Sequence, residues 1–536
     1  MDLKQEVQAW IADDPDPKTA AQLQQWLDSN NEVELRASFS GFLQFGTAGL
    51  RGPIRPGPSG MNRAVVGRTA AGIAAYMKER NLTSVVIGRD ARYGSEDFTF
   101  ETAQIMSGAG MKVYVLPRPL PTPVLAFATN ELKCDVGIMV TASHNPPQDN
   151  GYKVYLGGTV DGIHYRGSQI VSPTDESIAQ KIDSITSLAS QPRGKEWTVL
   201  GEEVVDKYVG ITAALAHKPG NLKIVYTAMH GVGTETLQQV FHKAGFPQPI
   251  LVESQAKPDP DFPTVAFPNP EEPGAIDLAL ETARTFDADL VIANDPDADR
   301  CAAAVKDPIN GWRMLRGDEL GVILGETIAR ATTQGILANS IVSSSILSKI
   351  AAHYKLDFKE TLTGFKWLAK IDGLTFGYEE ALGYAVDAVT VNDKDGISAA
   401  IKLAQIATDL AAQNKTLLDL LDEVWARHGF HATEQISIRL SDLSQVGVIM
   451  GNLRRNSPKE IAGRSVTSID DLAKPKDGLP PTDGLRIWLD GGIRIIIRPS
   501  GTEAKMKCYI EAIAKDSATA QTVLDQLRAP LKELLS

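Results

Sequence analysis

Short apolar runs that break abruptly into polar, loop-forming residues recur along this chain. That pattern confines most of it to folds built on parallel β-sheet with crossover helices. Val136-Gly137-Ile138-Met139-Val140 runs into Thr141-Ala142-Ser143-His144-Asn145-Pro146, and Leu290–Ala293 runs towards Asp295-Pro296-Asp297-Ala298-Asp299-Arg300. Residues 84–87 lead into Gly88-Arg89-Asp90-Ala91-Arg92, and residues 222–226 precede Met229-His230-Gly231-Val232-Gly233. Further strands are expected at residues 112–116 and 341–343. Each run is too short for a buried helix and reads as a strand, and ligands in open α/β sheets sit where such strands end. The similar intervals suggest a duplicated or triplicated architecture without a residue-level repeat.

A chain of 536 residues exceeds one hydrophobic core and predicts roughly three to five domains. The last hundred or so residues differ from the rest, with strands at residues 435–440 and Lys505–Ala514 and a hairpin over residues 486–497 around Asp490-Gly491-Gly492. A final helix carries Ala520, Val523, Leu524, Leu527, Leu531 and Leu534 on one stripe, with Pro530 expected to bend it. This is a smaller α+β domain beginning near Gly429. Residues 258–273 resemble a linker by composition, with an ordered loop as the alternative.

Net charge is −12, which argues against general binding of nucleic acid or membrane surfaces while leaving room for a local basic cleft. Three cysteines, Cys134, Cys301 and Cys508, give no disulfide framework or zinc spacing. The amino terminus has no apolar signal core and no stretch reaches the length of a membrane span, so a cytoplasmic location is expected.

Asp295, Asp297 and Asp299 point three carboxylates into one turn, an oxygen-rich set that suits Mg2+ together with phosphate oxygens. An EF-hand is excluded, because Arg300 stands at the sixth position and Lys306 at the twelfth. A solvated acidic turn is the alternative, and Arg300 beside the carboxylates favours a phosphoryl oxygen. Adjacent side chains on an extended segment diverge, so His144 is expected to be poorly placed to deprotonate Ser143. No nucleophile elbow surrounds the serine. Ser143 then reads either as a phosphoryl carrier or as a loop cap. Arg498-Pro499-Ser500-Gly501-Thr502-Glu503 interrupts a strong β pattern as a compact anion cradle, or else is a simple turn. Further candidate anion contacts are Arg51, Arg89 and Arg92, and candidate proton carriers are Lys153, Lys366 and Lys394. His230 reads as a loop cap.

Taken together these residues resemble the α-D-phosphohexomutase superfamily over nearly the whole chain. Four blocks recur in order: the Ser143 loop, the Asp295 loop, Gly377-Tyr378-Glu379-Glu380-Ala381-Leu382-Gly383-Tyr384, and the Arg498 loop. The resemblance implies four domains around a central cleft, three α/β domains with mixed, mainly parallel sheets plus a C-terminal α+β domain. Expected boundaries are 1–205, 206–320, 321–428 and 429–536. It implies that Ser143 is a phosphoserine and a metal ligand, that Asp295, Asp297 and Asp299 bind Mg2+, and that Arg51, His144, Lys153 and Arg300 line the same centre. Glu379 and Glu380 would face the sugar, Gly364 and Lys366 would help choose its orientation, and Arg498, Ser500, Gly501 and Thr502 would hold the distal phosphate. Lys394 matches an acid/base lysine of some relatives. Tyr378 and Ala381 depart from the commoner sugar loop and resemble the branch near phosphopentomutase and glucose-1,6-bisphosphate synthase.

The implied activity is phosphoglucomutase, an isomerase of glucose metabolism passing through glucose 1,6-bisphosphate, which serves as intermediate and activator. Phosphomannomutase, phosphopentomutase, bisphosphate synthase and a non-catalytic sugar-phosphate-binding relative are the alternatives. The implied partners are small sugar phosphates, with the chain a monomer or homodimer.

Overall fold

The computed structural model describes residues 2–46, 49–309, 311–476, 478–499 and 505–535. They fall into two compact units, one of Met1–Leu315, Ala369–Asp372 and Gly383–Asp409, the other of Arg316–Leu368, Gly373–Leu382 and Leu410–Ser536. No described helix is long and apolar enough to cross a membrane.

The first unit contains two mixed sheets. In one, Leu50–Pro53, Asp149–Leu156, Val136–Val140, Ser84–Arg89, Lys112–Val115 and Thr198–Val199 lie side by side in that order. Val136–Val140, Ser84–Arg89 and Lys112–Val115 are parallel, whereas Asp149–Leu156 returns antiparallel against Val136–Val140. All five residues of Val136–Val140 are buried, as a central strand covered on both faces requires. Its carboxyl end feeds directly into the Ser143 loop. The second sheet orders Ile250–Leu251, Ile224–Thr227, Leu290–Ala293, Ala302–Asp307 and Gly311–Met314, the first three parallel and the rest antiparallel. Leu290–Ala293 is likewise wholly buried and delivers the chain to Asp295. Residues 258–273 are an ordered loop: Asp259 N donates to His230 O at 3.0 Å, and Phe262 is buried.

Three helices that the sequence pattern does not announce open the chain: Leu3–Asp13, Pro17–Asp28 and Glu32–Ser38. The second and third start at Asp16 and Asn31, whose side chains accept from Lys18 N and Glu34 N. They bury Val7, Leu23 and Leu35 against one another, a core too small to stand alone. Asp13 ties this bundle to the first domain by accepting from Leu188 N at 2.7 Å and Ala189 N at 2.8 Å.

In the second unit, Ile336–Ser340, Asp357–Thr361 and Leu374–Glu379 are parallel. The strand expected at residues 341–343 lies earlier, at Ile336–Ser340. Asn339 and Ser340 are buried but polar, which hides the strand, while Ile341 and Val342 pack into a separate cluster with Leu362 and Ile496. Helix Gly317–Ala331 packs closely on Leu374–Glu379 and on Glu380 just after it because its glycines face them. A Cβ on Gly321 would sit 2.6 Å from Tyr378 Cε2, and one on Gly317 would sit 1.7 Å from Glu380 O. The carboxyl-terminal sheet is antiparallel, ordered Phe430–Arg439, Lys505–Ala514, Ile493–Pro499, Leu485–Leu489, Arg464–Asp471 and Glu460–Ile461. Helix Ser517–Leu534 covers it through Ala520, Leu524, Leu527 and Leu531 and keeps Pro530 within it. The fold is thus three α/β sheets with parallel cores and one C-terminal α+β layer, the class expected.

The second unit also holds a pH-sensitive group. Glu380 Oε2 accepts from Ser340 Oγ and Ser343 Oγ, both at 3.0 Å, and burial, with Glu379 and Asp318 nearby, pushes its carboxyl up to about 7. A carboxyl whose pKa is higher in the folded chain than in the unfolded one favours the fold while protonated. Its support is full below the ordinary value of 4.5 and is lost as pH rises through about 7. Glu380→Gln is therefore expected to leave stability unchanged at low pH and to raise it by about 1–2 kcal/mol above neutrality. Denaturant unfolding of both proteins at acid and alkaline pH checks this, and an equal effect at both would contradict it.

Candidate active site

The Ser143 loop and the Asp295 loop meet inside the first unit. Ser143 Oγ donates to Asp295 Oδ2 at 2.8 Å across 152 residues of sequence. Ser143 lies in the left-handed region, φ +52°, with its amide donating to Thr141 Oγ1 at 2.9 Å. That conformation overturns the expectation that Ser143 and His144 diverge. The turn folds the two side chains together, leaving Ser143 Oγ 3.2 Å from His144 Nδ1. Burial, and then the nearby Arg300 and Arg51 charges, hold the imidazole well below its usual pKa, which favours its neutral form.

The three aspartates are buried, and one oxygen from each lies within 4.8 Å of the others. Burial and the charges of Asp297 and Asp299 raise the pKa of Asp295. Burial works the same way on Asp297 and Asp299, but Lys153 overcomes it and lowers both. Lys153 Nζ donates to Asp297 Oδ2 at 2.7 Å and Asp299 Oδ2 at 2.8 Å. It projects from Asp149–Leu156, at the register position opposite Met139 of the strand that feeds the serine loop. Burial opposes its charge too, yet the two carboxylates keep it fully protonated. Lys394 Nζ stands 3.3 Å from Asp299 Oδ2, and Gly383 makes room for it, since a Cβ there would sit 2.3 Å from Lys394 Cδ. Arg300 N donates to Asp295 Oδ1 at 3.0 Å, and Arg300 pairs with Gly383 through a backbone bridge. Arg51 Nη1 donates to Asn145 Oδ1 at 3.2 Å.

These residues fit a hard divalent cation. Asp297 Oδ1 and Asp299 Oδ1 are buried without a hydrogen-bond partner among the described residues, a costly state for carboxylate oxygens unless a cation takes them. Their all-oxygen chemistry suits Mg2+, with a further position open to a phosphoryl oxygen.

Several contributors escape sequence reasoning. Thr122 Oγ1 donates to Asp297 Oδ2 at 2.5 Å and Thr122 N to Asp297 O at 2.9 Å, so the start of helix Thr122–Glu131 braces the metal-site turn. Asn294 Nδ2 donates to Arg300 O at 2.5 Å. A Thr-Pro pair marks a helix start, but nothing local marks a partner 175 residues away. Two expected anion contacts are otherwise engaged. Arg89 pairs with Glu96 at 2.9 Å, and Arg92 spends its guanidinium on backbone carbonyls. His230 is held by Thr264 at 2.8 Å.

The remaining candidates belong to the second unit, described by itself. Glu379 Oε1 accepts from Gly364 N at 2.6 Å, joining the two proposed sugar-facing loops. Gly364 has φ +108°, and Lys366 follows in the short helix Phe365–Leu368. Arg498 Nη1 donates to Thr363 Oγ1, so the start of the expected anion cradle adjoins the Gly364 loop. Tyr378 is buried, its hydroxyl donating to Asp318 Oδ1 at 2.9 Å, which makes it a packing residue. Ser500, Gly501, Thr502 and Glu503 lie outside the described residues.

Comparison with known proteins shows the family. Phosphoglucomutase/phosphomannomutase α/β/α domains I, II and III match residues 43–189, 204–311 and 316–428, and the C-terminal domain matches 450–529. A Haemophilus influenzae protein bearing the name "Probable phosphomannomutase" is 49% identical over 89% of this chain and 98% of its own. The Mus musculus phosphopentomutase is 34% identical over 99% and 94%, and the Staphylococcus haemolyticus phosphoglucomutase 34% over 90% and 92%. A phosphoglucomutase/phosphomannomutase family protein from Burkholderia thailandensis shares the fold, with TM-score 0.70 at 19% identity over 90% of this chain and 96% of its own. The chain belongs to the phosphoglucomutase/phosphomannomutase family and is a phosphosugar mutase.

Proposed function

We propose that this mutase interconverts α-D-glucose 1-phosphate and glucose 6-phosphate by carrying a phosphoryl group on Ser143. The observation that supports this most is the contact of Ser143 Oγ with Asp295, beside two buried carboxylate oxygens that have no donor among the described residues. Asp295, Asp297 and Asp299 would hold Mg2+, which when bound supplies positive charge to the transferring phosphoryl oxygens. The chain's own groups do the rest. Phosphorylated Ser143 gives its phosphoryl group to the free hydroxyl of the sugar phosphate: the bond from phosphorus to Oγ breaks, a bond to the sugar oxygen forms, and the hydroxyl proton leaves. The product is a sugar bisphosphate, whose other phosphoryl group returns to Oγ once the sugar has turned round.

Arg300 and Arg51 neutralise charge at the transferring group, and Lys153 keeps Asp297 and Asp299 ionised. His144, neutral and next to Oγ, is the candidate to take the hydroxyl proton, and Lys394, an ammonium beside Asp299, is the candidate to supply one. In the second unit, Glu379 would accept sugar hydroxyls while Gly364 orients it, and Arg498 would bind the distal phosphate with Ser500, Gly501 and Thr502. Lys366 is a further contact to the sugar phosphate in this reading, and Glu380 braces the loop through Ser340 and Ser343. The domain limits proposed are 1–205, 206–320, 321–428 and 429–536, and the location is cytoplasmic.

The named Staphylococcus phosphoglucomutase supports glucose as the sugar. Mannose is the second reading, favoured by the name of the more similar Haemophilus protein. Side-by-side coupled assays of glucose 1-phosphate, mannose 1-phosphate and ribose 1-phosphate are expected to give kcat/KM highest for glucose by about tenfold. A mannose preference would select the second reading, and a ribose preference would overturn both.

Replacing Ser143 with alanine is expected to lower turnover by roughly 10⁴-fold or more while leaving the melting transition in place. Mass spectrometry of the native protein after exposure to glucose 1,6-bisphosphate should find the phosphoryl group on Ser143. Near-native turnover by the alanine variant would refute the carrier role.

A further inference from the structure

The serine loop is not held by its own turn chemistry alone. Between strands Val136–Val140 and Asp149–Leu156 the chain turns over residues 141–148, and three of its carbonyls, with that of Asp149 just beyond, converge on one guanidinium. Arg92 Nη2 donates to Ser143 O and Asn145 O, both at 2.6 Å, and Nη1 donates to Pro146 O at 2.8 Å and Asp149 O at 3.1 Å. Its Nε faces Asp90 Oδ2 at 3.4 Å, and Asp90 Oδ1 in turn accepts from Arg92 N at 3.0 Å and Ser95 Oγ at 2.6 Å. The Phe262 ring covers the guanidinium at 4.8 Å, and only 1% of the side chain is exposed.

The terminal guanidinium nitrogens are thereby spent on backbone carbonyls, and Nε is buried without a hydrogen-bond partner among the described residues, so Arg92 presents no exposed donor to a substrate phosphate. A non-glycine residue at φ +52° persists only where its surroundings over-determine it. Beside the local bonds of Ser143 N to Thr141 Oγ1 and Asn145 N to Ala142 O, the Arg92 fork grips Ser143 O and Asn145 O on either side of His144.

We infer that Arg92 is a positioning residue that clamps the serine loop in its left-handed turn and so fixes Ser143 Oγ against Asp295. The inference rests on the reading of Ser143 as phosphoryl carrier. Phosphoryl transfer needs the attacking oxygen, phosphorus and leaving oxygen in line, so a small drift of Oγ costs rate without weakening the hold on the sugar phosphate. Lysine cannot replace the clamp, because an ammonium carries three donors on a point and cannot span four carbonyls in a plane.

The test measures kcat and KM for Arg92→Lys and Arg92→Ala, corrected for the folded fraction read by circular dichroism. The expected result is a fall in kcat of roughly 10²-fold in both, with KM within about threefold of native. Added methylguanidinium should restore part of the lost kcat in Arg92→Ala, where it has a cavity to enter, and none in Arg92→Lys. Native kcat in Arg92→Lys would overturn the clamp, and so would a rise in KM alone, which would signal substrate contact. Failure of both variants to fold would overturn it as well, by making Arg92 purely structural. The carrier reading fails separately: native protein would then show no phosphoryl group on Ser143, whereas failure of the clamp alone leaves native phosphoserine intact and the lysine variant fast.

Discussion

Three carboxylates held within one buried turn repel one another, and relieving that repulsion organises the first unit. Like charges a few ångströms apart in a poorly hydrated interior cannot all ionise without compensation. Compensation comes from elements far apart in sequence: Lys153 from the strand beside the serine loop, Lys394 from the segment after Gly383, and Arg300 from the turn itself. Lys153 and Lys394 leave Asp297 Oδ1 and Asp299 Oδ1 unmatched, and those two oxygens together with Asp295 define where further positive charge belongs. Ser143 Oγ lies at that same point. A site that gathers uncompensated negative charge beside a hydroxyl is suited to receive a cation and a phosphoryl group together.

The second unit answers a different demand, that of holding the loops proposed to meet the sugar on a rigid support. The glycines that bring helix Gly317–Ala331 close to Leu374–Glu379 let Tyr378 bury its ring, with its hydroxyl fixed on Asp318. The large side chain that departs from the common sugar loop is therefore absorbed by packing, and Glu379 and Glu380 emerge beyond it. Glu379 ties down Gly364, and Glu380 ties down Ser340 and Ser343. One carboxylate organises the Gly364 loop and the other the end of the neighbouring strand Ile336–Ser340.

What the sequence could reveal depended on whether the cause was local. Val136–Val140 and Leu290–Ala293 have the same limits in the structure as in the pattern, because an unbroken apolar run ended by polar residues is a local statement about burial. Ile336–Ser340 was misplaced since its buried Asn339 and Ser340 carry no apolar mark. The Asp295 triad was legible from spacing, while Arg300, Arg51, Lys153 and Lys394 stood out only as candidates by residue type until the resemblance placed them at one centre. The left-handed turn at Ser143 was not, because Arg92, more than fifty residues earlier, grips it through carbonyls that every residue possesses. Thr122 and the amino-terminal helices were missed for the same reason: their role lies in partners distant along the chain.

The most direct test of the central claim is phosphorus NMR of the phosphorylated protein during titration with Mn2+ as a paramagnetic stand-in for Mg2+. A cation held by Asp295, Asp297 and Asp299 must lie against the phosphoryl group on Ser143. The phosphoserine resonance should broaden beyond detection at substoichiometric Mn2+, and Asp297→Asn should weaken that effect sharply. A phosphoserine signal that stays sharp at saturating Mn2+ would show that the carboxylate turn and the serine do not form one centre.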